Sequence, residues 1–383
     1  MPLSTILCPL IKNKKRESQH SINKGDGTGK FSVPTGTRFT QKILSWYSEN
    51  KRSLPWRETK DPYKIWLSEI ILQQTRVAQG LPYYLRFVEH FPTVFSLAKA
   101  KEQEVLRLWQ GLGYYSRARN LHNCANEVVE KFQGRFPNNF QDLQKLRGIG
   151  SYTAAAIASI SFNEPVAVVD GNVFRVLSRV FGIDKDISNP KTKDFFFQLG
   201  NQLISKEHPD EFNQAMMEFG ATHCLPKNPL CGDCVFKKQC IAKANDLQNV
   251  LPAKSKKQRV RRRYFYYFVI QRGKKILMRK RGEKDIWHGL FDFYLVESTK
   301  PKSVDKLMSE NKAFKKIELN GVSKVYKHVL SHQHLMARFI SVNSSRPATK
   351  EFSGFRFYSS SEIKKLPKPV LILQYLKDAK FLD

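Results

Sequence analysis

Four cysteines crowd into seventeen residues of this chain, with the spacing Cys224-x6-Cys231-x2-Cys234-x5-Cys240. Their thiolates can meet at one centre only if the segment wraps around it, and two prolines within the segment keep it from becoming a helix. In a reducing compartment, such a cluster indicates a metal centre rather than disulfides. Zinc usually takes two matched C-x2-C pairs, whereas uneven four-cysteine spacings are more typical of iron–sulfur clusters.

Charge restricts what the chain can bind. Its 383 residues include 65 Lys and Arg against 34 Asp and Glu, a formal net charge of +31 at pH 7. This excess predicts a polyanionic partner, either nucleic acid or an acidic membrane surface. No apolar run approaches the roughly 18 residues that a spanning helix needs, which excludes an integral membrane protein. The length predicts two or three domains, and the 41% hydrophobic content is enough to bury their cores.

The chain divides into segments of different texture. Residues 1–37 are polar and basic, which predicts a disordered tail. Residues 38–245 have helical periodicity throughout, and residues 264–383 contain β-rich runs that predict an α+β domain. Residues 246–263 form a basic linker, either a solvated hinge or a phosphate contact. Helices are predicted from Pro62 to about Ile71 and near 102–110, 116–132, 139–146, 151–162, 171–181 and 190–206.

Two glycines, Gly148 and Gly150, stand between predicted helices. They permit a tight hairpin whose amide groups, together with the N-terminus of the following helix, can hold a phosphate. Taken alone the pattern is weak, because most such turns are only turns.

Two carboxyl groups have both a structural and a functional interpretation. Asp170 precedes a predicted helix, where it can be an N-cap or a carboxylate available to stabilise a cation. Glu69 lies among bulky apolar neighbours, where partial desolvation would raise its pKa into the range of a general acid. From spacing alone, a place on the polar stripe of an amphipathic helix is the favoured interpretation of Glu69.

Together these residues resemble the helix-hairpin-helix DNA glycosylase superfamily, and within it the adenine DNA glycosylases (MutY). The similarity covers about 38–242 and, more weakly, 264 to the C-terminus. It rests on Leu54-Pro55-Trp56-Arg57, Leu67-Ser68-Glu69-Ile70-Ile71-Leu72-Gln73-Gln74-Thr75, Gly111-Leu112-Gly113-Tyr114-Tyr115-Ser116-Arg117-Ala118-Arg119, Val169-Asp170-Gly171-Asn172-Val173 and the four cysteines.

The resemblance implies a role for each of these residues and reverses the interpretation of Glu69. Glu69 becomes the proton donor and Asp170 its partner carboxylate, with Asn172 and Tyr152 supporting the site. The remaining implied roles are a [4Fe–4S] cluster on the cysteines, DNA contacts through the hairpin glycines, and filling or wedging of the base stack by Gln74 and Tyr114. The implied activity is hydrolytic removal of adenine opposite 8-oxoguanine or guanine in double-stranded DNA.

The region 264–383 is similar to the Nudix fold, which in this family recognises 8-oxoguanine. Leu330-Ser331-His332 matches a Phe-Ser-His motif that contacts the damaged base, with leucine in place of phenylalanine. Stacking by residue 330 is therefore not expected, whereas Ser331 and His332 keep their polar chemistry. His332 can instead be an ordinary surface histidine. The acidic metal-binding Nudix helix is missing, so nucleotide hydrolysis is not expected.

Three other functions are weighed against this one. A bifunctional glycosylase/lyase like endonuclease III, acting on oxidised pyrimidines, would need a lysine where Tyr152 stands, because tyrosine cannot form a Schiff base. A non-catalytic iron–sulfur DNA-binding protein would need neither carboxyl group. A Nudix hydrolase would need the missing metal-binding helix. We expect a monomeric enzyme of the bacterial cytoplasm, associated with the nucleoid and not with a membrane.

Overall fold

A computed structural model describes residues 36–255, 260–283, 286–311, 318–330, 332–343 and 352–382. The chain separates into two compact units. The first is Met1–Ile70 with Arg135–Lys256, and the second is Ile71–Gly134 with Lys257–Asp383. Except for its last two residues, the predicted disordered tail lies outside the described residues. Each of these units combines two separate stretches of the chain, whereas the predicted domains follow one another along it. The predicted domain boundaries therefore stay a prediction.

The described residues confirm that helices dominate the N-terminal two thirds of the chain, with a 3₁₀ turn at Pro55–Arg57. In chain order the α-helices are α1 (Gly36–Asn50), α2 (Pro62–Leu72), α3 (Val77–His90), α4 (Val94–Lys99), α5 (Glu102–Leu108), α6 (Ser116–Phe132), α7 (Phe140–Leu143), α8 (Ser151–Phe162), α9 (Gly171–Phe181), α10 (Pro190–Leu203), α11 (Pro209–Thr222), α12 (Ile241–Ala244), α13 (Val304–Glu310), α14 (Ser360–Lys365) and α15 (Val370–Asp378).

Local sequence explains several helix ends. At the start of α2, the Asp61 carboxylate accepts a hydrogen bond from the backbone N–H of Tyr63 at 3.0 Å, and Pro62 occupies the first turn, as predicted. Helix α7 is shorter than the predicted 139–146, because the next N–H groups bond three residues back in turns. None of the described helices is long and apolar enough to cross a membrane.

The first unit has an aromatic core. The Phe39 ring stacks on Phe236 with centroids 4.8 Å apart, and Trp46 meets Phe219 edge to face, also at 4.8 Å. Phe236 lies between the second and fourth predicted metal cysteines, so the cysteine segment is held against this core. Apolar burial thus fixes the segment through its flanking side chains.

The second unit contains a mixed sheet. Its strands are β1 (Arg261–Arg272), β2 (Lys275–Lys280), β3 (Phe291–Asp292), β4 (Tyr294–Ser298), β5 (Glu318–Val322), β6 (Tyr326–Val329), β7 (Gln333–Asn343) and β8 (Arg356–Ser359). The main path runs β3-β2-β1-β7-β5, with β4 beside β1, β6 beside β7 and β8 beside β2. Strands β1 and β7 pair in parallel and the other pairs are antiparallel.

Alternation along β1 builds a core on each face of the sheet. Phe265 and Tyr267 join the cluster that includes α14 and α15, whereas Tyr266 and Phe268 join the cluster under α13. The predicted α+β character is confirmed. Strand β1 begins at Arg261, inside the predicted basic linker, because its pairing with β7 starts there at Gln333. The last three positions of the predicted linker, 261–263, therefore lie in strand β1.

Candidate active site

Glu69 lies on α2 and is buried, with 7% of its surface exposed. It is therefore not on a solvated polar stripe. The Tyr152 hydroxyl donates a hydrogen bond to Oε2 of Glu69 at 2.6 Å. Burial raises the pKa of Glu69 to about 7; the Tyr152 hydrogen bond opposes this shift and the charge of Asp170 adds to it. Near neutral pH, this carboxyl group can hold a proton.

Asp170 is the N-cap of α9, as one of its two interpretations predicted. Its Oδ1 accepts the backbone N–H groups of Asn172 and Val173, each at 2.8 Å, and its Oδ2 accepts the Asn172 side-chain amide at 2.8 Å. Burial raises the pKa of Asp170, and these three donors oppose the shift because they favour the ionised form. Capping does not exclude chemistry, because the same carboxylate acts electrostatically on Glu69.

Asn172 is held by an arginine that the sequence analysis did not single out. Arg175 donates to Oδ1 of Asn172 at 2.8 Å, to the Gly220 carbonyl at 2.6 Å and to the Cys224 carbonyl at 2.7 Å. A direct chain of hydrogen bonds therefore joins the first cysteine of the predicted metal segment to Asp170. The sequence does contain a signal for this role, because Arg175 lies inside the apolar run of α9 and a buried arginine needs hydrogen-bond partners.

Gly220 on α11 leaves the space that Asn172 occupies. A Cβ atom at this position would lie 2.5 Å from Cβ of Asn172 and 3.0 Å from its Cα. Since a backbone atom cannot move aside cheaply, a larger residue at 220 would displace the start of α9. The amide that supports Asp170 therefore depends on a glycine about fifty residues further along the chain.

The two hairpin glycines differ in what the fold demands of them. Gly148 has φ = +79°, which favours glycine, whereas Gly150 is the extended N-cap residue of α8. A Cβ atom at Gly150 would meet nothing within 4 Å. The described chain thus gives no steric reason for glycine at 150, and the N-terminus of α8 starts there without a side-chain cap.

Gln74 and Tyr114 lie in the second unit, and both have left-handed backbone conformations, with φ of +55° and +46°. Gln74 is exposed, and Tyr114 is 46% exposed despite its aromatic ring. Non-glycine residues adopt this conformation at a cost of about 1–3 kcal/mol, and such strain concentrates at functional sites.

Arg117 connects the two turns that carry these residues. Its guanidinium donates to the carbonyls of Gln73 at 2.7 Å and Ile71 at 3.2 Å, and to that of Leu112 at 3.4 Å. Burial lowers the pKa of Arg117 to about 10, so it stays charged at neutral pH. Arg117 occurs in one of the motifs that carry the resemblance, but its role as a clamp was not predicted.

The four predicted metal cysteines line one cavity in the first unit. Burial raises the pKa of Cys234 to about 12, and the charges of Cys224, Cys240 and Cys231 contribute to the shift, which indicates that the four sulfur atoms lie near one another. The guanidinium group of Arg179 lies beside these cysteines, and its Nη1 donates a hydrogen bond to Sγ of Cys224 at 3.4 Å. Within the described ranges, no three His, Cys, Asp or Glu side chains lie close enough together to hold a single metal ion.

Two of the predicted base-recognition residues, Leu330 and His332, lie between β6 and β7. The side chain of Leu330 is half-buried and packs against the sheet core, and its N–H bonds to the Gln333 carbonyl at 2.8 Å. His332 is exposed and its carbonyl accepts the N–H of Arg261 at 3.2 Å. Ser331 lies outside the described residues. Leu330 is thus anchored to its own domain through part of its side chain.

Comparison with known proteins agrees with this geometry. A family model described as an HhH-GPD superfamily base excision DNA repair protein matches residues 67–202, and a NUDIX domain model matches 266–378. The adenine DNA glycosylase of Buchnera aphidicola subsp. Schizaphis graminum is 37% identical over 302 residues, which is 79% of this chain and 84% of that protein.

Further comparisons give the same result. The human adenine DNA glycosylase is 44% identical over 226 residues, covering 57% of this chain and 41% of the human protein. A solved thermostable thymine-DNA glycosylase superposes with a TM-score of 0.50 at 30% identity, over 54% of this chain and 95% of that one. The predicted resemblance is confirmed: the chain belongs to the adenine DNA glycosylase family.

Proposed function

We propose that this protein removes adenine paired with 8-oxoguanine or guanine in double-stranded DNA, by hydrolysing the N-glycosidic bond. The observation that carries the proposal is the buried carboxyl pair in the first unit, where Glu69 can hold a proton near neutral pH beside Asp170. The relatives' name, adenine DNA glycosylase, supports adenine as the base.

Glu69 is the general acid in this proposal. Because the Tyr152 hydroxyl donates to Oε2, the second carboxyl oxygen is available to carry the proton. Transfer of this proton to the adenine ring makes the base a better leaving group. Tyr152 orients the acid and stays protonated, since burial raises its pKa well above the ordinary value.

Asp170 is the anion that stabilises the positively charged sugar as the base leaves. Two neighbouring carboxyl groups ionise in sequence, so the pair favours a single negative charge, with the proton on Glu69 and the charge on Asp170. The three N–H donors around Asp170 support this distribution. Asn172 therefore acts as a positioning residue. This two-carboxyl arrangement parallels that of glycoside hydrolases.

The DNA contacts come from the hairpin and from two turns. The open N-terminus of α8 can bind a phosphate, and Gly150 lets a DNA backbone approach closely because no side chain intervenes. Gly148 provides the left-handed turn. Extruding adenine costs a few kcal/mol, and we infer that Gln74 and Tyr114 offset part of this cost by occupying the vacated stack.

The second unit supplies recognition of the opposite base. His332 and Ser331 contact 8-oxoguanine through polar groups, and the exposure of His332 supports this assignment. Leu330 contributes less, because its side chain packs partly against its own core.

Cys224, Cys231, Cys234 and Cys240 hold a [4Fe–4S] cluster in this proposal. Four half-buried thiols around one cavity, on cysteines with uneven spacing in the sequence, suit a cluster of several metal atoms better than a single zinc. When bound, the cluster keeps the four sulfur atoms as thiolates and holds the segment in one shape. Lys237 and Lys243 beside it are then presented to phosphates.

We further infer that the enzyme acts as a monomer on nucleoid DNA in a bacterial cytoplasm. Its formal net charge of +31 supports association with a polyanion.

A strand-break assay tests the proposed reaction. Purified protein is incubated with duplexes carrying adenine opposite 8-oxoguanine, guanine or thymine and with a duplex carrying an oxidised pyrimidine, and each product is analysed with and without alkali. We expect breaks at adenine in the first two duplexes and only after alkali, because a monofunctional enzyme leaves the sugar intact. Breaks without alkali, or breaks only in a duplex with an oxidised pyrimidine, would favour a glycosylase/lyase and contradict the proposal.

A further inference from the structure

The second unit contains a strongly cationic pocket that the proposed reaction does not use. It has a volume of about 460 Å³, and five basic side chains line it together with Gln110 and two leucines. The basic residues come from four parts of the chain: Arg86 from α3, Arg107 from α5, Lys364 and Lys368 from α14 and the segment after it, and Lys377 from α15.

Among the described residues, no carboxylate side chain lines this pocket. Within the part of the chain that the structure describes, Arg86, Arg107, Lys368 and Lys377 form no ion pair with a carboxylate. Like charges held together without an anion destabilise the folded chain. The pocket therefore has the electrostatic character of a site built for a negatively charged ligand.

Lys368 is the most informative member of the cluster. Only 2% of its surface is exposed, and its ammonium group donates to the Leu366 carbonyl at 2.7 Å, while its backbone N–H donates to the Gln110 side chain at 3.1 Å. Burial lowers the pKa of Lys368 to about 8, and the charge of Arg107 adds to the shift. A bound anion would offset both the cost of burying the Lys368 charge and its repulsion by Arg107.

The lining also indicates which part of a ligand is recognised. None of the described residues that line the pocket is aromatic, so this lining offers no surface on which a nucleobase could stack. Two guanidinium groups and three ammonium groups converge in a volume suited to a small molecule. Arginine forks match phosphate oxygens, and lysines add point charges to the same groups.

We propose that this pocket binds a compact group of two or more phosphates, supplied by a free polyphosphate such as the tail of a nucleotide or by a DNA backbone. The inference is independent of adenine removal, because its residues and its assay involve neither Glu69 nor Asp170.

The experiment measures binding of inorganic tripolyphosphate to the full-length protein by titration calorimetry at constant ionic strength. We expect one saturable site, with affinity reduced at least about fivefold in Arg107→Gln and in Lys377→Gln. Lys306→Gln is the matched control, because it removes one exposed charge from α13 outside the pocket, and it should change affinity less than about twofold. Tripolyphosphate should also raise the melting temperature of the wild-type protein more than that of the two pocket variants.

Absence of saturable binding, or equal weakening in all three variants, would overturn the proposal, because net charge alone would then explain any association. An undamaged duplex then identifies the phosphate source. The phosphates belong to DNA if the duplex displaces tripolyphosphate and if Lys377→Gln weakens duplex binding by the same factor as it weakens tripolyphosphate binding. If duplex and tripolyphosphate bind together, the pocket takes a free polyphosphate.

Discussion

The carboxyl pair in the first unit and the two turns in the second unit are each organised by an arginine that bonds to several backbone carbonyls, but in different ways. Arg175 bonds to three backbone carbonyls and to the Asn172 side chain, which in turn bonds to Asp170. Arg117 bonds to the backbone of both turns. It thereby holds the backbone from which the exposed side chains of Gln74 and Tyr114 project. The first arrangement sets the position of a charge, whereas the second sets the shape of a surface.

The difference predicts separable defects. Changes around Glu69, Asp170 and Arg175 should slow bond cleavage in DNA that is already bound, because these groups act on the bond that breaks. Changes around Arg117 should act earlier, when adenine leaves the base stack. The following predictions test this separation.

The largest effect is expected for Glu69→Gln, which keeps the shape of the side chain but cannot donate the carboxyl proton. Single-turnover adenine release should fall about 10²–10⁴-fold while affinity for the mispaired duplex stays within a few-fold of wild type. Glu127→Gln, on α6 of the second unit, is the matched control. Adenine release at the wild-type rate in Glu69→Gln would remove Glu69 from the role of acid.

The same carboxyl group predicts a pH dependence. Since its folded-state pKa is raised to about 7, the active protonated form is lost above that pH, and the rate should fall about tenfold per pH unit. Burial of ionised Glu69 also lowers the stability of the folded protein. The protonated carboxyl group carries no such cost, so the folded protein has its full stability below the unfolded pKa near 4.5 and loses part of it as the pH rises through 7. Glu69→Gln should therefore stabilise the protein at pH 8, by up to about 3 kcal/mol in denaturant unfolding. Equal stability of both proteins at pH 8 would contradict the shift.

Arg175→Gln should reduce the rate of adenine release by about a hundredfold, because charged hydrogen bonds of about 1.5–3 kcal/mol each orient Asn172 and the Cys224 carbonyl. Iron content should also fall in this variant. Fluorescence of 2-aminopurine placed beside the target adenine should keep its wild-type response, because base extrusion does not involve this arginine. Arg175→Lys tests whether the fork geometry matters in addition to charge.

Arg117→Gln should show the opposite pattern. We expect about a tenfold loss of affinity for the mispaired duplex and a reduced 2-aminopurine response, because the carbonyls of Gln73 and Leu112 lose their common donor. Iron content should stay at the wild-type level. A normal 2-aminopurine response with slow chemistry would show that the two arginines do not differ in the proposed way.

The smallest effects concern the hairpin, where the same glycine-to-serine change can be compared at positions 148 and 150. Gly148→Ser should lower stability by about 1 kcal/mol or more, because residue 148 has φ = +79°. Gly150→Ser should leave stability unchanged or raise it, because serine is a better N-cap than glycine, yet weaken DNA binding a few-fold. Thermal unfolding and a duplex titration measure the two effects. Wild-type DNA affinity in Gly150→Ser would remove the phosphate contact from this position.

Much of the helical region could be predicted because its signals are local. Asp61 and Pro62 start α2 through contacts two residues apart, and the bounds of α6, α8 and α9 follow from periodicity and turn residues. The parallel pairing of β1 with β7 could not be predicted in this way, because about seventy residues separate the partners. The start of β1 at Arg261 was missed for the same reason.

By itself, the sequence determined the chemical groups and the family: four cysteines with uneven spacing, Glu69 among apolar neighbours, Asp170 at a helix start, and the motifs that carry the resemblance. Only the tertiary structure decided the pKa of Glu69, the clamps formed by Arg175 and Arg117, and the cationic pocket around Lys368. Burial and electrostatic coupling depend on distances between atoms from remote segments, and neither periodicity nor local spacing contains those distances.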